Sequence, residues 1–436
     1  MAVEIADWND LDNVRNDLSD DYVLVNDLDE DTDGYAGVGD DFEPIGFIED
    51  EDFTSEFGGS FDGDGFQISD LVIEYDGVEG DIALFASTDD GSLIENLSVD
   101  GSVMVTNPEG VHFSGLVGNQ QGGTIQNCVS HVDVTAPDGE RVGGLVGRTN
   151  GTLTESYATG SVEGDSRVGG LVGLNGSTVT DSYATGSVEG GEKVGGLVGL
   201  NNNTVTDSYA TGSVEGGEEV GGLVGAETSD DSDGGIRRCY SYGTVTGSSS
   251  VGGFCGVLGQ GGFADVEGYI FDSYVDIGES GQDDAIGSIE VEGESDVTEL
   301  STSEMQGSEA ETNMDGFDFA NVWDTVERDT ETDTINGQIT LDDVAVETGT
   351  VILHNFSEPE SIEGSVDGYP ILLSVDEDEQ LESQNSVVRN IVRTETDTNG
   401  NYSADIPGAT GDTIAIAVDF DDGTERYGRV VTTVLE

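Results

Sequence analysis

Val-Gly-Gly-Leu-Val-Gly begins at Val142, Val168, Val194 and Val220, so one segment returns every 26 residues, and near copies of Thr-Val-Thr-Asp-Ser-Tyr-Ala-Thr-Gly-Ser-Val-Glu-Gly fill the intervals. Weaker copies extend the array: Ser-Gly-Leu-Val-Gly from Ser114, Gly-Gly-Phe-Cys-Gly from Gly252, and Ala-Leu-Phe-Ala from Ala83. A single unit of this size cannot bury its own apolar face, so repetition at this period constrains the chain to stack coil on coil with like faces meeting.

Aligning the copies predicts three interior columns. The first is Ile68, Ile94, Ile125, Leu153, Val179, Val205, Ile236 and Ile270; the second is Leu71, Leu97, Cys128, Ser156, Ser182, Ser208, Cys239 and Ser273. The third, from the Gly-Leu-Val-Gly segment, is Leu84, Leu116, Leu145, Leu171, Leu197, Leu223 and Phe254. The repeat is rich in Val, Thr, Tyr, Ser and Gly and is broken by glycine every few residues, which would ruin helical repeats and suits short strands joined by turns. The expected fold is all-β: a right-handed parallel β-helix over residues 66–292. Eight coils about 4.8 Å apart would make a rod about 38 Å long.

The ends differ in texture. Residues 1–65 read as a cap that covers the first open strand edge: Trp8, Leu11, Val14 and Leu18 have helical spacing, and Tyr-Val-Leu-Val-Asn-Asp-Leu from Tyr22 reads as a strand. Residues 293–333 lose the periodicity and read as an acidic connector, with Phe317, Phe319, Val322 and Trp323 as an apolar plug over the last coil. From 334 to 436 alternating strands separated by turn signals predict a small β-sandwich.

Charge then narrows the setting. The chain holds 92 Asp and Glu against 12 Lys and Arg, a formal net charge of -80, and Lys193 is its single lysine. Such self-repulsion opposes a compact state in dilute buffer, whereas molar salt shortens the screening length to about 3 Å. Life in very high salt is the natural reading. Nucleic acid is excluded as a partner, because phosphate binding needs clustered cations and Arg237 with Arg238 is the nearest approach to a cluster. No apolar run reaches the roughly 20 residues of a membrane span, and the first twenty residues show neither a basic leader nor an apolar core, so no secretory signal is expected.

The Val-Gly-Gly-Leu-Val-Gly and Ser-Tyr-Ala-Thr-Gly-Ser-Val segments resemble the GLUG-motif repeat family of bacterial and archaeal surface proteins. Phe-Glu-Pro-Ile-Gly and Phe-Asp-Gly-Asp-Gly-Phe-Gln-Ile-Ser-Asp-Leu near the start resemble the usual opening of those proteins. The resemblance covers residues 8–295 and implies a β-helix used for adhesion or surface display, with no catalytic residues to carry over. Thr-Asp-Thr-Asn-Gly-Asn-Tyr-Ser-Ala-Asp-Ile-Pro from Thr396 resembles the carboxypeptidase-regulatory-like or transthyretin-like sandwiches.

Candidate sites are few. If the Ser156 column faces inward, strand alternation sends Tyr157, Tyr183, Tyr209, Tyr240 and Tyr274 outward as one stripe. An exposed stripe would offer rings for sugars to stack on, a face for a protein partner, or simple packing. Asp29, Asp31, Asp33 and Asp40 nearly match a Ca2+ loop, with Gly34 at the sharp turn and Asp in place of the final Glu, although so acidic a chain makes such runs by chance. The same holds for Asp230, Asp231 and Asp233. Insertions at 226–235 and 257–268 project from one corner, where solenoids carry binding loops or merely solvated ones. Cys128 and Cys239, four coils apart and hence about 19 Å, are too distant to bridge, and Cys255 lies in another column, so three buried thiols are expected. His112, His131 and His354 fall in no triad, zinc spacing is absent, and carboxylate pairs mean little among so many acids.

The function expected from these features is non-enzymatic: a tail fibre, spike or related virion component of a virus of a halophilic archaeon, homotrimeric by analogy. It would contact other virion proteins and a host-surface glycoprotein or glycan, without membrane insertion. The alternatives are a cellular haloarchaeal adhesin and, third, a polysaccharide lyase or glycosidase.

Overall fold

The computed structural model describes residues 2–46, 56–77, 80–108, 112–229, 234–259, 268–291, 294–305, 307–317, 319 and 323, and beyond these only the backbone of short strands. The chain divides into two units, Met1–Ser301 and Thr302–Glu436.

The first unit is a parallel β-solenoid. Eight strands lie side by side in one sheet, from Phe85–Thr88 through Val117–Gln120, Val146–Thr149, Val172–Asn175, Val198–Asn201, Val224–Glu227 and Cys255–Leu258 to Ile286–Ile289. The other strands of each coil form a larger parallel sheet that bends at the corners. Register is exact in kind from coil to coil: Leu153 faces Val179, which faces Val205, then Ile236 and Ile270. Ser156 and Ser182 sit 26 residues apart, while Cys128 to Ser156 spans 28 and Cys239 to Ser273 spans 34, so extra residues are absorbed at corners and the columns are preserved.

Glycine explains why the two sheets can approach so closely. In the copy from Val142, Leu145 is fully buried. A Cβ on Gly143 would run into the Val146 carbonyl, one on Gly144 into the Gly170 carbonyl and to 2.8 Å from Ala158 Cβ, and one on Gly147 to 2.6 Å from the Gly118 carbonyl. Each glycine of the motif therefore marks a different backbone-to-backbone contact, and the Leu between them supplies the apolar filling.

Non-glycine residues in the left-handed region mark two corners of each coil. One column is Asn96, Asn127, Glu155, Asp181, Asp207, Arg238 and Asp272; the other is Arg141, Arg167, Lys193, Glu219 and Ser250. Side chains stacked one coil apart support the first: Asn127 donates to Asn96 Oδ1 at 2.8 Å, Asn96 to Asp62 at 2.9 Å, and Arg238 forks onto Asp207 at 2.7 and 2.6 Å.

The first member of each of the first two columns, Ile68 and Leu71, needs correction. Phe61, not Ile68, pairs with Ile94, whereas Ile68 pairs with Val99 and Leu71 with Gly101. The turn Gly63–Phe66 is longer than the later corners, so a spacing equal to the repeat aligned residues on opposite sides of the bend. The remaining members of all three columns are buried as expected.

The cap is built as the spacing predicts. β1 (Val3–Ile5) pairs with β2 (Tyr22–Leu24), which pairs with Ser60–Asp62 and so continues the stack. Between them α1 (Trp8–Asn13) is capped by Asp7, whose carboxylate accepts from the Asn9 and Asp10 amides at 2.8 and 2.9 Å. Trp8, Leu11 and Val14 are completely buried. The solenoid also runs past residue 292: Glu294–Leu300 pairs in parallel with Tyr269–Asp276.

In the second unit Phe317 stacks on Trp323 with centroids 4.6 Å apart. Thr350–Phe356 pairs antiparallel with Val388–Glu395 and Thr413–Asp419. The expected sandwich over 334–436 otherwise lies outside the described residues, as does Val322.

Candidate functional site

The tyrosine column forms as alternation requires, with Tyr183 between the inward Ser182 and Ala184 and paired to Tyr157 and Tyr209. Because neighbouring strands stand at one aromatic stacking distance, the rings lie face to face: centroids are 4.7, 4.6 and 4.9 Å apart from Tyr157 to Tyr240, with planes within 9°. His131 closes the lower end edge-on to Tyr157. Tyr157, Tyr183 and Tyr274 are only 4%, 3% and 4% exposed, and Tyr209 and Tyr240 are half-buried. The expectation of an open stripe for sugar stacking is therefore corrected: inside the stack each ring face is taken by the next tyrosine.

Behind the tyrosines runs a buried hydroxyl ladder. The Ser156 amide donates to Ser182 Oγ and the Ser182 amide to Ser208 Oγ, both at 3.2 Å, while each hydroxyl donates to the carbonyl two residues back at 2.7 Å. Cys128 and Cys239 occupy the same column and make the same kind of bond through sulfur. With Cys255 they are free and buried. Burial pushes the Cys128 thiol up to about 12 and raises the other two as well. A thiol-reactive dye should accordingly label none of the three in the native protein at pH 8 and all three after unfolding; rapid native labelling would show the interior to be open.

A second buried polar column escaped the sequence. Gln120, Thr149, Asn175, Asn201 and Glu227 are stacked in register and wholly buried. Thr149 donates to Gln120 at 2.6 Å, Asn175 to Asn201 at 2.7 Å, and Asn201 to Glu227 Oε2 at 2.5 Å. The Ser229 amide, at 3.0 Å, and its hydroxyl both donate to Glu227 Oε1. Desolvation outweighs these bonds and pushes the Glu227 carboxyl up to about 7. Asp181, in the left-handed corner between Glu155 and Asp207, is pushed up to about 6, by burial first.

Strongly shifted carboxyls in a cleft would suggest catalysis. Glu227, however, is 0% exposed and is engaged by its own ladder. The proposed Ca2+ loop does not assemble either. Asp29 accepts from the Asp31 amide and Thr32 Oγ1, Asp40 from the Gly37 amide, and among the described residues no three metal-ligating side chains converge. The aspartates close separate turns of their own. Asp230, Asp231, Asp233 and most of the second insertion lie outside the described residues, as does the His354 side chain. Coil stacking does create one pair invisible to local reading: His112 Nδ1 lies 2.6 Å from Asp81 Oδ1, one coil away.

The family model of the GLUG motif matches residues 138–163, 164–189 and 190–215, three successive coils of the rod. Over 156 residues the chain is 30% identical to halomucin of Haloquadratum walsbyi, a stretch that covers 35% of this chain and 2% of that protein. A solved chain from Bacteroides ovatus, described as a candidate immunoglobulin A1 protease, superposes with a TM-score of 0.44 and 16% identity, covering 76% of this chain and 90% of that one.

Proposed function

We propose that the chain is a non-enzymatic structural and adhesive part of a surface protein of a salt-loving cell, its solenoid serving as a stiff acidic spacer. The observation that carries this reading is the register of its exposed carboxylates. Glu189 faces Glu215 and Glu192 faces Glu218 directly across neighbouring coils, and all four are exposed. Like charges opposed across strands destabilise a sheet in dilute buffer. With screening near 3 Å in molar salt, shorter than the strand spacing of about 4.8 Å, that penalty fades. The GLUG units and the similarity to halomucin support placement outside the cell, and the halophilic source of halomucin accords with the charge. An interior sealed by apolar columns and bonded ladders supports a structural role over chemistry.

The test is mass spectrometry of haloarchaeal envelopes, cytosol and virions purified in molar salt. Recovery of this chain in envelopes is the expected result. Recovery at fixed stoichiometry in virions would replace the cellular reading by the virion component, and a purely cytosolic chain would refute both.

A further inference from the structure

Asp81, His112, Arg141, Arg167, Lys193 and Glu219 stand one above another at a corner, each immediately before a member of the register-paired row Ile82, Phe113, Val142, Val168, Val194 and Val220. A run of cations in consecutive coils is unexpected where acids outnumber bases 92 to 12. Its upper members are paired: Arg167 lies 3.1 Å from Glu140, and Lys193 lies 3.0 Å from Glu219 and also bonds Glu192.

Lower down, the pairing of the arginines loosens. The nearest carboxylate to Arg141 is Glu140 at 3.7 Å, and among the described residues its guanidinium makes no hydrogen bond. Arg148 has one long contact, 3.4 Å to Asn150 Oδ1. Burial, then Arg167, with Arg148 adding, hold Arg141 below its ordinary basicity against Glu140 and Asp81, so the guanidinium feels two others nearby.

Two buried polar atoms without partners adjoin this pair. His112 is 5% exposed, its Nδ1 is tied to Asp81, and its Nε2 is buried and unbonded. Asn119, paired in register with Arg148, has a buried Oδ1 with no partner, and an amide turned over would present its NH2 instead. Buried polar groups are ordinarily bonded, so two left over beside two loosely held guanidiniums point to a missing partner.

We propose that His112, Arg141 and Arg148, with the Asn119 amide, hold one small inorganic anion at this corner. Register places Arg148 beside Asn119 and Arg141 one coil above His112, whose Nδ1 bonds Asp81 and whose Nε2 is left to face the anion. The side chains of His112 and Arg141 are 7% and 25% exposed, so the donors lie largely below the surface.

Crystals of the full chain grown in bromide should show an anomalous peak within about 3.5 Å of the Arg141 or Arg148 guanidinium, lost in Arg148→Gln and Arg141→Gln. Among the described residues Arg148 holds only its long contact to Asn150, so its variant will fold. At fixed sodium, replacing chloride by methanesulfonate should lower the wild-type unfolding midpoint by about 3 °C more than that of Arg148→Gln. A chloride-loaded and a sulfate-loaded sample compared in the same way tell which ion is preferred. Absence of the peak, its persistence in both variants, or equal midpoint losses would overturn the proposal.

Discussion

Gly196→Ala is expected to destabilise the solenoid by about 3 kcal/mol or more, a large part of the stability of a single domain. The added methyl would run into the Gly222 carbonyl of the next coil and lie 2.9 Å from Ala210 Cβ. Neither can retreat, because one is backbone and the other sits in the packed interior between stacked coils. Gly91→Ala is the control, since its nearest neighbour is the end of the Asp89 side chain at 3.4 Å and its φ is not positive. Urea midpoints in molar salt will measure both. Equal midpoints would mean that the two sheets are further apart at the motif than described.

The second large effect concerns pH. Glu227 has a folded pKa of about 7 against an ordinary 4.5, with desolvation the main cause. A carboxyl raised on folding binds its proton more tightly in the native state. Its contribution is therefore complete below the unfolded value near 4.5 and is lost as pH rises through about 7. The loss for a fully buried group amounts to up to about 3 kcal/mol. Glu227→Gln should flatten the decline between pH 5 and 8 relative to the wild type. Asp181, shifted in the same direction, and His131, held down to about 4 by burial and opposite in sign, are common to both proteins and drop out of the difference. Parallel stability curves for the two proteins would show that Glu227 does not titrate in this window.

Much of the architecture was legible because a solenoid writes its contacts into sequence period. The Leu145, Leu171 and Leu197 column and the cysteine and serine column could be aligned by eye, and all are buried. Period failed where a corner changed length, at Ile68. It also could not see what adjacency in the stack does to equal side chains. Outward tyrosines become a sealed stack, and Asp81 meets His112 across a coil, because both depend on the strand spacing and not on local pattern. The buried Gln120 to Glu227 column was missed for another reason: its members change identity at all but one step, from Asn175 to Asn201, so hardly a recurring letter marks it, although each falls three residues after the Val of the same motif. The acidic loop at Asp29 failed as a site because charge alone does not make carboxylates converge.

That changing column has a consequence for how the chain finds its own order. Coils 164–189 and 190–215 are nearly identical on every face, Asn175 and Asn201 included, so a folding chain that skipped one would lose little apolar contact. The polar column does discriminate. Gln120 is matched to Thr149 and Asn201 to Glu227, so a chain that skipped the Glu227 coil would set the Asn201 amide against Leu258 and strand it, whereas Asn175 and Asn201 are equivalent. Arg238, meeting Asp207, likewise marks the end of the run at the corner. The run of interchangeable coils is thus bounded by coils with addresses of their own, written inside the wall where solvent cannot erase them.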